Sequence, residues 1–245
     1  MLRLLLSSQI LQYKDHKINT FTYKIVLFET HTKQYNINKV KIERKRKRKV
    51  MIENEWDKLL KIHTTGRDDS NADQHRYPYE PTPYSVLERL GNSGWIRKEN
   101  TLLDYGCGKG RVDFFLSYQT RCRSIGIEYN ERIYAKAVEN KETAISAERV
   151  NFIVVNAEQF PLPAEVDRIY FFNPFSLEIL RKVMARIRES YYEKPRQMQL
   201  YFYYPSDEYM AYLMTVEELT FLDEIDCRDL FSGDNPRERI VIFEL

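Results

Sequence analysis

The chain has 245 residues, of which 43% are hydrophobic and 13% aromatic, so it can bury one substantial core. This composition excludes an intrinsically disordered chain. No run approaches the roughly 18 apolar residues that span a bilayer, and Cys107, Cys122 and Cys227 show neither metal-ligand spacing nor a disulfide framework. The composition therefore predicts a protein of the reduced cytoplasm, without a metal site and without a membrane span.

The net charge of +2 conceals two parts of opposite sign. Residues 1–50 contain 13 Lys and Arg against 3 Asp and Glu, a net charge of +10, which leaves 25 basic and 33 acidic residues, a net −8, in residues 51–245. All 8 glycines and all 9 prolines also follow residue 50. We therefore expect residues 1–50 to be a basic N-terminal extension that is not part of the same folded domain.

The basic run KIERKRKRKVM, residues 41–51, has three interpretations. Clustered Lys and Arg bind nucleic-acid phosphates, and such a run can also be a solvated tail without a role. Glu, Arg and Lys can, however, all be written with purine-only codons, as a ribosome-binding tract ahead of a start codon would be. Our first hypothesis is that residues 1–50 are a translated leader and that Met51 is the initiator.

The chain from residue 51 is predicted to begin with an amphipathic helix over Ile52–Ile62. The segment HRYPYEPTPY follows, in which three prolines forbid a helix, and a second helix spans Ser85–Leu90. These elements form residues 51–97. The rest, residues 98–245, alternates between apolar runs of strand length and amphipathic helices.

Seven strands are predicted in that second part: TLLDYGC, RSIGIEYN, NFIVVNA, DRIYFFNP, QMQLYFYYP, TFLDEIDCRDL and RERIVIFEL. Four helices are predicted between them: GRVDFFLSYQ, ERIYAKAVENK, LEILRKVMARIRESYYE and SDEYMAYLMT. Strand–helix alternation with short connections makes a doubly wound α/β domain. The last two strands, joined by the turn FSGDNP, predict a C-terminal antiparallel hairpin on a mostly parallel sheet.

The first strand of the alternating part runs into the sequence DYGCGKG, residues 104–110. Glycines at 106, 108 and 110 let the backbone turn tightly and approach a ligand closely. The third glycine of the dinucleotide pattern would fall at position 111, which is arginine, and the chain contains no phosphate loop of the form G-x-x-x-x-G-K-[ST]. The spacing favours a nucleotide-like ligand other than a dinucleotide.

This D-x-G-x-G-x-G sequence resembles the S-adenosyl-L-methionine loop of class I methyltransferases, and the element order over residues 77–245 is similar to theirs. Uncharacterised bacterial members of that family also carry an Asn-Pro-Phe tripeptide, which is found here at residues 173–175. The resemblance implies that the loop backbone holds the methionine part of the cofactor, with the leading acid close by. The implied residues are Asp104, Gly106, Gly108 and Gly110.

The resemblance also implies partners for the nucleoside part of the cofactor. Glu128 ends the second strand, where a carboxylate can accept hydrogen bonds from both ribose hydroxyls, and Tyr129 could pack on the adenine. Asn156, which ends the third strand, would accept from the adenine amine and Ala157 would donate to a ring nitrogen; otherwise Asn156 forms a turn.

Asn173, Pro174 and Phe175 resemble a shortened form of the [DNS]-P-P-[YF] motif of methyltransferases that act on amino groups. In that motif the side-chain oxygen and a backbone carbonyl orient the substrate nitrogen, and the ring packs beside it. The second proline is missing here, so acceptor nitrogen and acceptor oxygen both stay open. The segment before the first strand would cover the cofactor, with Tyr79 and Thr82 as hydroxyl donors for its carboxylate, or it is only a structural strap.

The sequence therefore predicts a methyltransferase that acts on a nitrogen, or an oxygen, of a protein side chain or small molecule. A net charge of −8 over residues 51–245 argues against a broad nucleic-acid surface. Two alternatives stay open: an RNA methyltransferase that uses basic residues 41–50, and a non-catalytic module that only binds S-adenosylmethionine. Tyr203, Tyr204 and Pro205 are candidate walls of the substrate pocket, and bulk water, His75 or Glu80 would take the substrate proton.

Overall fold

The computed structural model of the chain describes residues 52–68 and 79–245. The chain divides into two units, Met1–Val50 and Met51–Leu245; the basic extension lies outside the described residues, as do His75 and Tyr77. Within the described ranges no helix is long and apolar enough to cross a membrane. In the same ranges no group of His, Cys, Asp or Glu could hold a metal ion, and the three cysteines are free thiols.

Six helices and seven strands make up the described part of the chain. The helices are α1 Glu53–Leu60, α2 Tyr84–Asn92, α3 Arg111–Thr120, α4 Glu131–Thr143, α5 Leu177–Glu193 and α6 Asp207–Leu213. The strands are β1 Thr101–Tyr105, β2 Arg123–Glu128, β3 Val150–Val154, β4 Arg168–Phe171, β5 Gln199–Tyr203, β6 Thr220–Asp226 and β7 Arg239–Glu244. The predicted alternation is thus confirmed. The first helix is shorter than predicted because Lys61 adopts a left-handed backbone conformation, with φ 58°, that ends it.

The strands form a single seven-stranded sheet in the order β3-β2-β1-β4-β5-β7-β6. All neighbouring pairs are parallel except those that β7 makes with β5 and β6. The mostly parallel sheet with a C-terminal antiparallel pair is therefore confirmed. The β6–β7 connection, residues 227–238, is longer than the predicted turn and contains a 3₁₀ turn at Arg228–Leu230.

The strand order reverses between β1 and β4, the place where ligands bind in doubly wound sheets. Asp104 is in register with Tyr170 and Tyr105 with Phe171, so the carboxyl ends of β1 and β4 are level. The segments that follow these two strands therefore open into the same crevice.

Alternate side chains of each central strand enter opposite layers of the core, as the two-residue repeat of a strand requires. Leu102 belongs to one buried cluster and Leu103 to the other, and the same alternation separates Tyr170 from Phe171. The first layer contains the N-terminal helices, where Trp56 lies 4.9 Å from Phe115 between ring centroids. The second layer is covered by α5 and α6.

Candidate active site

A cavity of about 630 Å³ opens at the carboxyl ends of β1 and β4. Its volume is within the roughly 300–1,000 Å³ of small-molecule sites. The predicted site residues that line it are Tyr79, Thr82, Asp104, Gly106, Glu128, Tyr129, Asn156, Ala157, Asn173, Pro174 and Phe175. The fold therefore brings segments that are far apart in sequence to one crevice.

Gly108 and Gly110 lie in the loop under the cavity rather than on its wall. All three loop glycines have positive φ: 77° at Gly106, 57° at Gly108 and 84° at Gly110. A Cβ at position 106 would lie 2.8 Å from Pro174 Cβ, so the β1 loop and the Asn-Pro-Phe segment touch here. At position 108 a Cβ would lie 2.2 Å from the Tyr79 ring. The loop thus requires glycine for backbone conformation and for close packing.

The segment before β1 covers the loop in a different way from the predicted one. The Tyr79 hydroxyl donates to the Thr64 carbonyl at 2.7 Å, and the Tyr79 ring lies on Gly108. The Thr82 hydroxyl pairs with the Tyr170 hydroxyl at 3.1 Å. Both hydroxyls that were expected to meet a ligand carboxylate are therefore engaged within the protein. The ring of Tyr79, more than its hydroxyl, shapes this side of the cavity.

Gly108→Val is expected to abolish S-adenosylmethionine binding because the side chain would displace the Tyr79 ring and strain a loop with φ 57°. Calorimetric titration of the folded variant measures this loss. Gly94→Val is the matched control, since Gly94 has φ 86° but a Cβ there meets nothing within 4 Å. The control should lose about 1–2 kcal/mol of stability and bind as wild type does. Unchanged binding by Gly108→Val would contradict the cofactor role of the loop.

A buried arginine joins the glycine loop to the N-terminal segment. Arg111, the first residue of α3, is only 2% exposed. Its Nε donates to Thr64 Oγ1 at 2.7 Å, and its Nη1 donates to the Thr82 carbonyl at 3.1 Å and pairs with the Glu53 carboxylate. Its Nη2 donates to Thr65 Oγ1 at 3.2 Å. Arg111, which stands where the dinucleotide pattern has its third glycine, therefore holds the N-terminal segment against the site.

Asp57 in α1 supplies the buried counter-charge of this cluster. Its carboxylate accepts from both the backbone and the hydroxyl of Thr64, at 2.7 and 2.6 Å, and from the Tyr84 hydroxyl at 2.5 Å. Arg111 Nη2 lies 3.9 Å from Asp57 Oδ1. Burial raises the pKa of Asp57, but hydrogen bonds from Thr64, Tyr84 and Thr65 outweigh burial and lower the pKa below its usual value. Asp57 is therefore ionised at neutral pH.

A pair of buried carboxyl groups lies behind the glycine loop. Asp104 is 3% exposed and Asp113, in the first turn of α3, is fully buried. Asp113 Oδ1 accepts from the Ser124 hydroxyl at 2.6 Å, and its Oδ2 is buried with no hydrogen-bond partner among the described residues. Burial raises the pKa of both groups, and the nearby Asp113 and Glu128 charges raise that of Asp104 further. Because burial and mutual repulsion oppose the ionisation of both carboxyl groups, the pair retains a proton near neutral pH.

This pair is expected to make the protein less stable as pH rises from about 4 to about 7, the value to which burial raises the pKa of Asp113. In this window the folded pair retains protons that the unfolded chain has lost, so the free energy of unfolding falls as pH rises, by up to about 1.4 kcal/mol per pH unit for each retained proton. Urea unfolding at a series of pH values should give a shallower fall for Asp113→Asn. Exposed Asp223→Asn should keep the wild-type slope, and an unchanged slope in Asp113→Asn would contradict the retention of a proton by the pair.

Glu128 connects the end of β2 to the glycine loop. Its Oε2 accepts from the Gly108 amide at 3.0 Å, and its Oε1 accepts from the amides of Tyr129 and Asn130, both at 2.9 Å. Burial raises the pKa of Glu128, and the three backbone amides act in the opposite direction. A carboxylate has about four acceptor positions, so an acceptor position on this side chain is still available to a ligand.

The nucleoside side of the cavity is formed by the ends of β2 and β3. Asn156 caps the 3₁₀ turn Ala157–Gln159, and its Oδ1 accepts from the Glu158 amide at 3.2 Å. The turn-forming role of Asn156 is thus observed, and its side chain also lines the cavity with Ala157. Tyr129 is 53% exposed and lies at the cavity wall, open to solvent on one side.

The Asn-Pro-Phe segment places Asn173 in the cavity wall. Asn173 has a positive φ of 43°, and its Oδ1 is buried with no hydrogen-bond partner among the residues that the structure describes. Such an orphaned acceptor costs free energy unless a donor reaches it. Phe175 is 5% exposed and packs edge-on to Tyr105 and Phe171. Its ring is therefore mainly core, although it also contributes to the cavity wall.

The predicted proton acceptor that is described, Glu80, lies on the N-terminal side, as does His63. Glu80 is exposed, lines the cavity and lies 3.8 Å from the Arg67 guanidinium. His63 is also exposed, and its backbone bonds to the Asn140 side chain.

Sequence reasoning missed three parts of this site: the Arg111–Asp57 cluster, the Asp113 partner of Asp104, and the wall residues Phe231 and Glu238 of the β6–β7 connection. An arginine and an aspartate at the start of an otherwise apolar helix were a visible signal for the first two. Nothing in the sequence indicates that the β6–β7 connection reaches the crevice.

Residues 102–191 match a family described as a methyltransferase domain. Among curated proteins no sequence is significantly similar to this chain. Three similar solved structures are an RNA methyltransferase from Salinibacter ruber in complex with S-adenosyl-L-homocysteine, a putative tRNA (m1A22) methyltransferase from Streptococcus pneumoniae, and the mitomycin 7-O-methyltransferase MmcR. Their identities are 18%, 16% and 12% and their TM-scores 0.45, 0.49 and 0.50.

The likeness covers 67%, 65% and 64% of this chain, and 92%, 68% and 52% of those chains, respectively. At 12% identity the likeness to MmcR, with a TM-score of 0.50, shows the fold alone. The domain match over residues 102–191 contains the glycine loop and the Asn-Pro-Phe segment. Residues 102–191 therefore match a methyltransferase domain, and the seven-stranded sheet of the chain has the class I methyltransferase fold.

Proposed function

We propose that the enzyme methylates a nitrogen of a small molecule or a protein side chain, and that Asn173 orients this nitrogen. The observation that carries the proposal is Asn173, which lines the cavity and whose buried Oδ1 is an acceptor without a donor among the described residues. Pro174 beside it contacts the loop at Gly106. An N–H bound at Asn173 would therefore lie next to the methionine end of the cofactor site.

The residues present suit S-adenosylmethionine. The donor carries a positive charge on sulfur, and the walls contain the carboxyl groups of Asp104, Glu128 and Glu238. We infer that the loop backbone and Asp104 hold the methionine part, that Glu128 accepts from the ribose, and that Asn156 and Ala157 border the adenine. The bound cofactor supplies a methyl group on a sulfonium that departs as a neutral thioether.

Methyl transfer needs alignment more than covalent help from the protein. A hydrogen bond from the substrate N–H to Asn173 Oδ1 would leave the nitrogen lone pair directed into the cavity. The N–CH₃ bond forms as the S–CH₃ bond breaks, and the substrate releases one proton. The amide of Asn173 cannot accept that proton, so it passes to water or to a carboxylate such as Glu80. Tyr170 and Tyr203 in the wall are buried and limit the access of water from that side of the site.

Calorimetric titration of full-length protein with S-adenosylmethionine, S-adenosylhomocysteine and NADH is the direct test of the cofactor site. We expect micromolar binding of the two sulfur compounds and none of NADH. Incubation with the donor and a cell extract should then yield S-adenosylhomocysteine and a methylated amine. Binding without any product over that of a boiled-enzyme control would favour the non-catalytic alternative.

RNA methylation is the second candidate, and it rests on basic residues 41–50, which lie outside the described residues. A direct comparison of RNA binding by the full chain and by a chain that begins at Met51 distinguishes RNA methylation from methylation of a small molecule or a protein side chain. The net charge of −8 over residues 51–245 favours an acceptor other than nucleic acid for the shorter chain.

A further inference from the structure

The part of the cavity at the ends of β4 and β5 has walls that the methyl donor does not explain. Phe172, Tyr203, Tyr204 and Phe231 line it, and we call these four residues the aromatic cluster. The Phe172 and Tyr203 ring centroids are 4.7 Å apart, and Phe172 meets Tyr204 edge-on at 6.5 Å. Tyr204 has a positive φ of 52°, a strained conformation for an aromatic residue.

One carboxylate is positioned against the aromatic cluster. Glu238 lines the same part of the cavity, and its Oε2 accepts from the Tyr203 hydroxyl at 2.7 Å. The Glu238 backbone is fixed as well, since its carbonyl accepts from the Cys227 amide at 2.9 Å. The β6–β7 connection therefore holds a negative charge at a defined place in the wall.

No cation balances Glu238 among the described residues of this wall. The cations that line the cavity in the described ranges, Arg67 and Arg111, belong to the side of the N-terminal segment. Arg237, next to Glu238 in sequence, lies 4.2 Å from the Tyr204 ring centroid and donates to the Tyr204 and Pro205 carbonyls, at 3.1 Å each. A charged group that enters this part of the cavity therefore meets aromatic faces and a carboxylate.

We propose that the methyl acceptor is an amine that binds in its ammonium form, with its apolar body among the rings of the aromatic cluster and Glu238 as its counter-charge. Aromatic faces attract ammonium groups, and a carboxylate in a partly desolvated wall favours a cation over a neutral or anionic group. The ammonium N–H groups also supply the donors that Asn173 Oδ1 lacks. The bound ammonium loses one proton to water or to Glu80 before transfer, which frees the lone pair that forms the N–CH₃ bond. This inference rests on the proposed N-methylation and names the class of its substrate.

The test uses the full-length chain saturated with S-adenosylhomocysteine and three probes of one shape: 2-phenylethylamine, 2-phenylethanol and 3-phenylpropanoate. Calorimetric titration at neutral pH should show binding of the amine, binding of the alcohol about tenfold weaker, and no binding of the carboxylate. The preference for the amine should shrink at high salt, as expected for an ion pair.

Glu238→Gln should remove the tenfold preference and leave the affinity for the alcohol unchanged, since glutamine can still accept from Tyr203. Glu244→Gln is the matched control, because Glu244 ends the strand that follows Glu238 but pairs with Gln197. Equal affinities for amine and alcohol, tighter binding of the carboxylate, a preference that survives Glu238→Gln, or no binding of any probe at millimolar concentration would each overturn the inference. Failure of the proposed function would differ: no methylated product from a cell extract, with the amine preference intact.

Discussion

Asn173→Gly is expected to lower kcat by about 10²-fold or more and to leave the affinity for S-adenosylhomocysteine within a few-fold of wild type. The substitution removes the amide oxygen that would orient the acceptor nitrogen. It also relaxes the backbone, because Asn173 has φ 43° and glycine adopts this conformation without strain. Turnover assays and calorimetric titration with S-adenosylhomocysteine measure the two quantities separately.

Two companion variants distinguish the oxygen from the backbone. Asn173→Ala removes the oxygen but adds strain at φ 43°, whereas Asn173→Asp keeps an acceptor oxygen. Equal loss of turnover in the glycine and alanine variants, with partial recovery in the aspartate variant, would support the orienting role. Loss of cofactor affinity in Asn173→Gly would show that the residue serves the cofactor site instead.

Arg111→Met is expected to lower the free energy of unfolding by about 3–5 kcal/mol, because it leaves the buried Asp57 without its cationic partner. We also expect weaker cofactor binding, since Arg111 ties the segment that carries Tyr79 and Thr82 to the helix after the glycine loop. Urea unfolding and calorimetry check the two effects. Exposed Arg228→Met, which breaks a surface pair with Asp226, should change stability by less than about 1 kcal/mol.

A double variant tests the cause of this loss. Arg111→Met combined with Asp57→Asn removes both charges, so the pair of substitutions should cost less than the sum of the single ones. Strict additivity would mean that the arginine acts through packing against the Tyr84 ring, whose centroid is 4.2 Å from its guanidinium, rather than through charge.

The strands and helices could be predicted because each follows from a pattern of neighbouring residues in the sequence. Apolar runs of strand length such as residues 101–105 alternate with amphipathic helices such as Leu177–Glu193, and each pattern is read within one element. These patterns do not give the exact ends of an element: α1 ends at Leu60, two residues before the predicted end at Ile62. The length of the β6–β7 connection was also missed, because a turn sequence does not reveal the 3₁₀ turn that precedes it.

Some features of the candidate site could likewise be predicted from the sequence, and others could not. The glycine loop and the polar residues at strand ends are visible in the sequence, because parallel strands bring their carboxyl ends to one edge. The engagement of the Tyr79 and Thr82 hydroxyls was not visible, since their partners, Thr64 and Tyr170, lie 15 and 88 residues away.

By itself, the sequence determined the order of strands and helices, the glycine loop and the positions of Glu128 and Asn173, all of which follow from short-range patterns. Only the tertiary structure decided that Arg111 joins two segments, that Asp104 and Asp113 share a buried site, and that Glu238 faces the aromatic cluster. The physical reason is that burial and pairing of charge depend on which distant residues exclude water from a group. No local pattern contains that information.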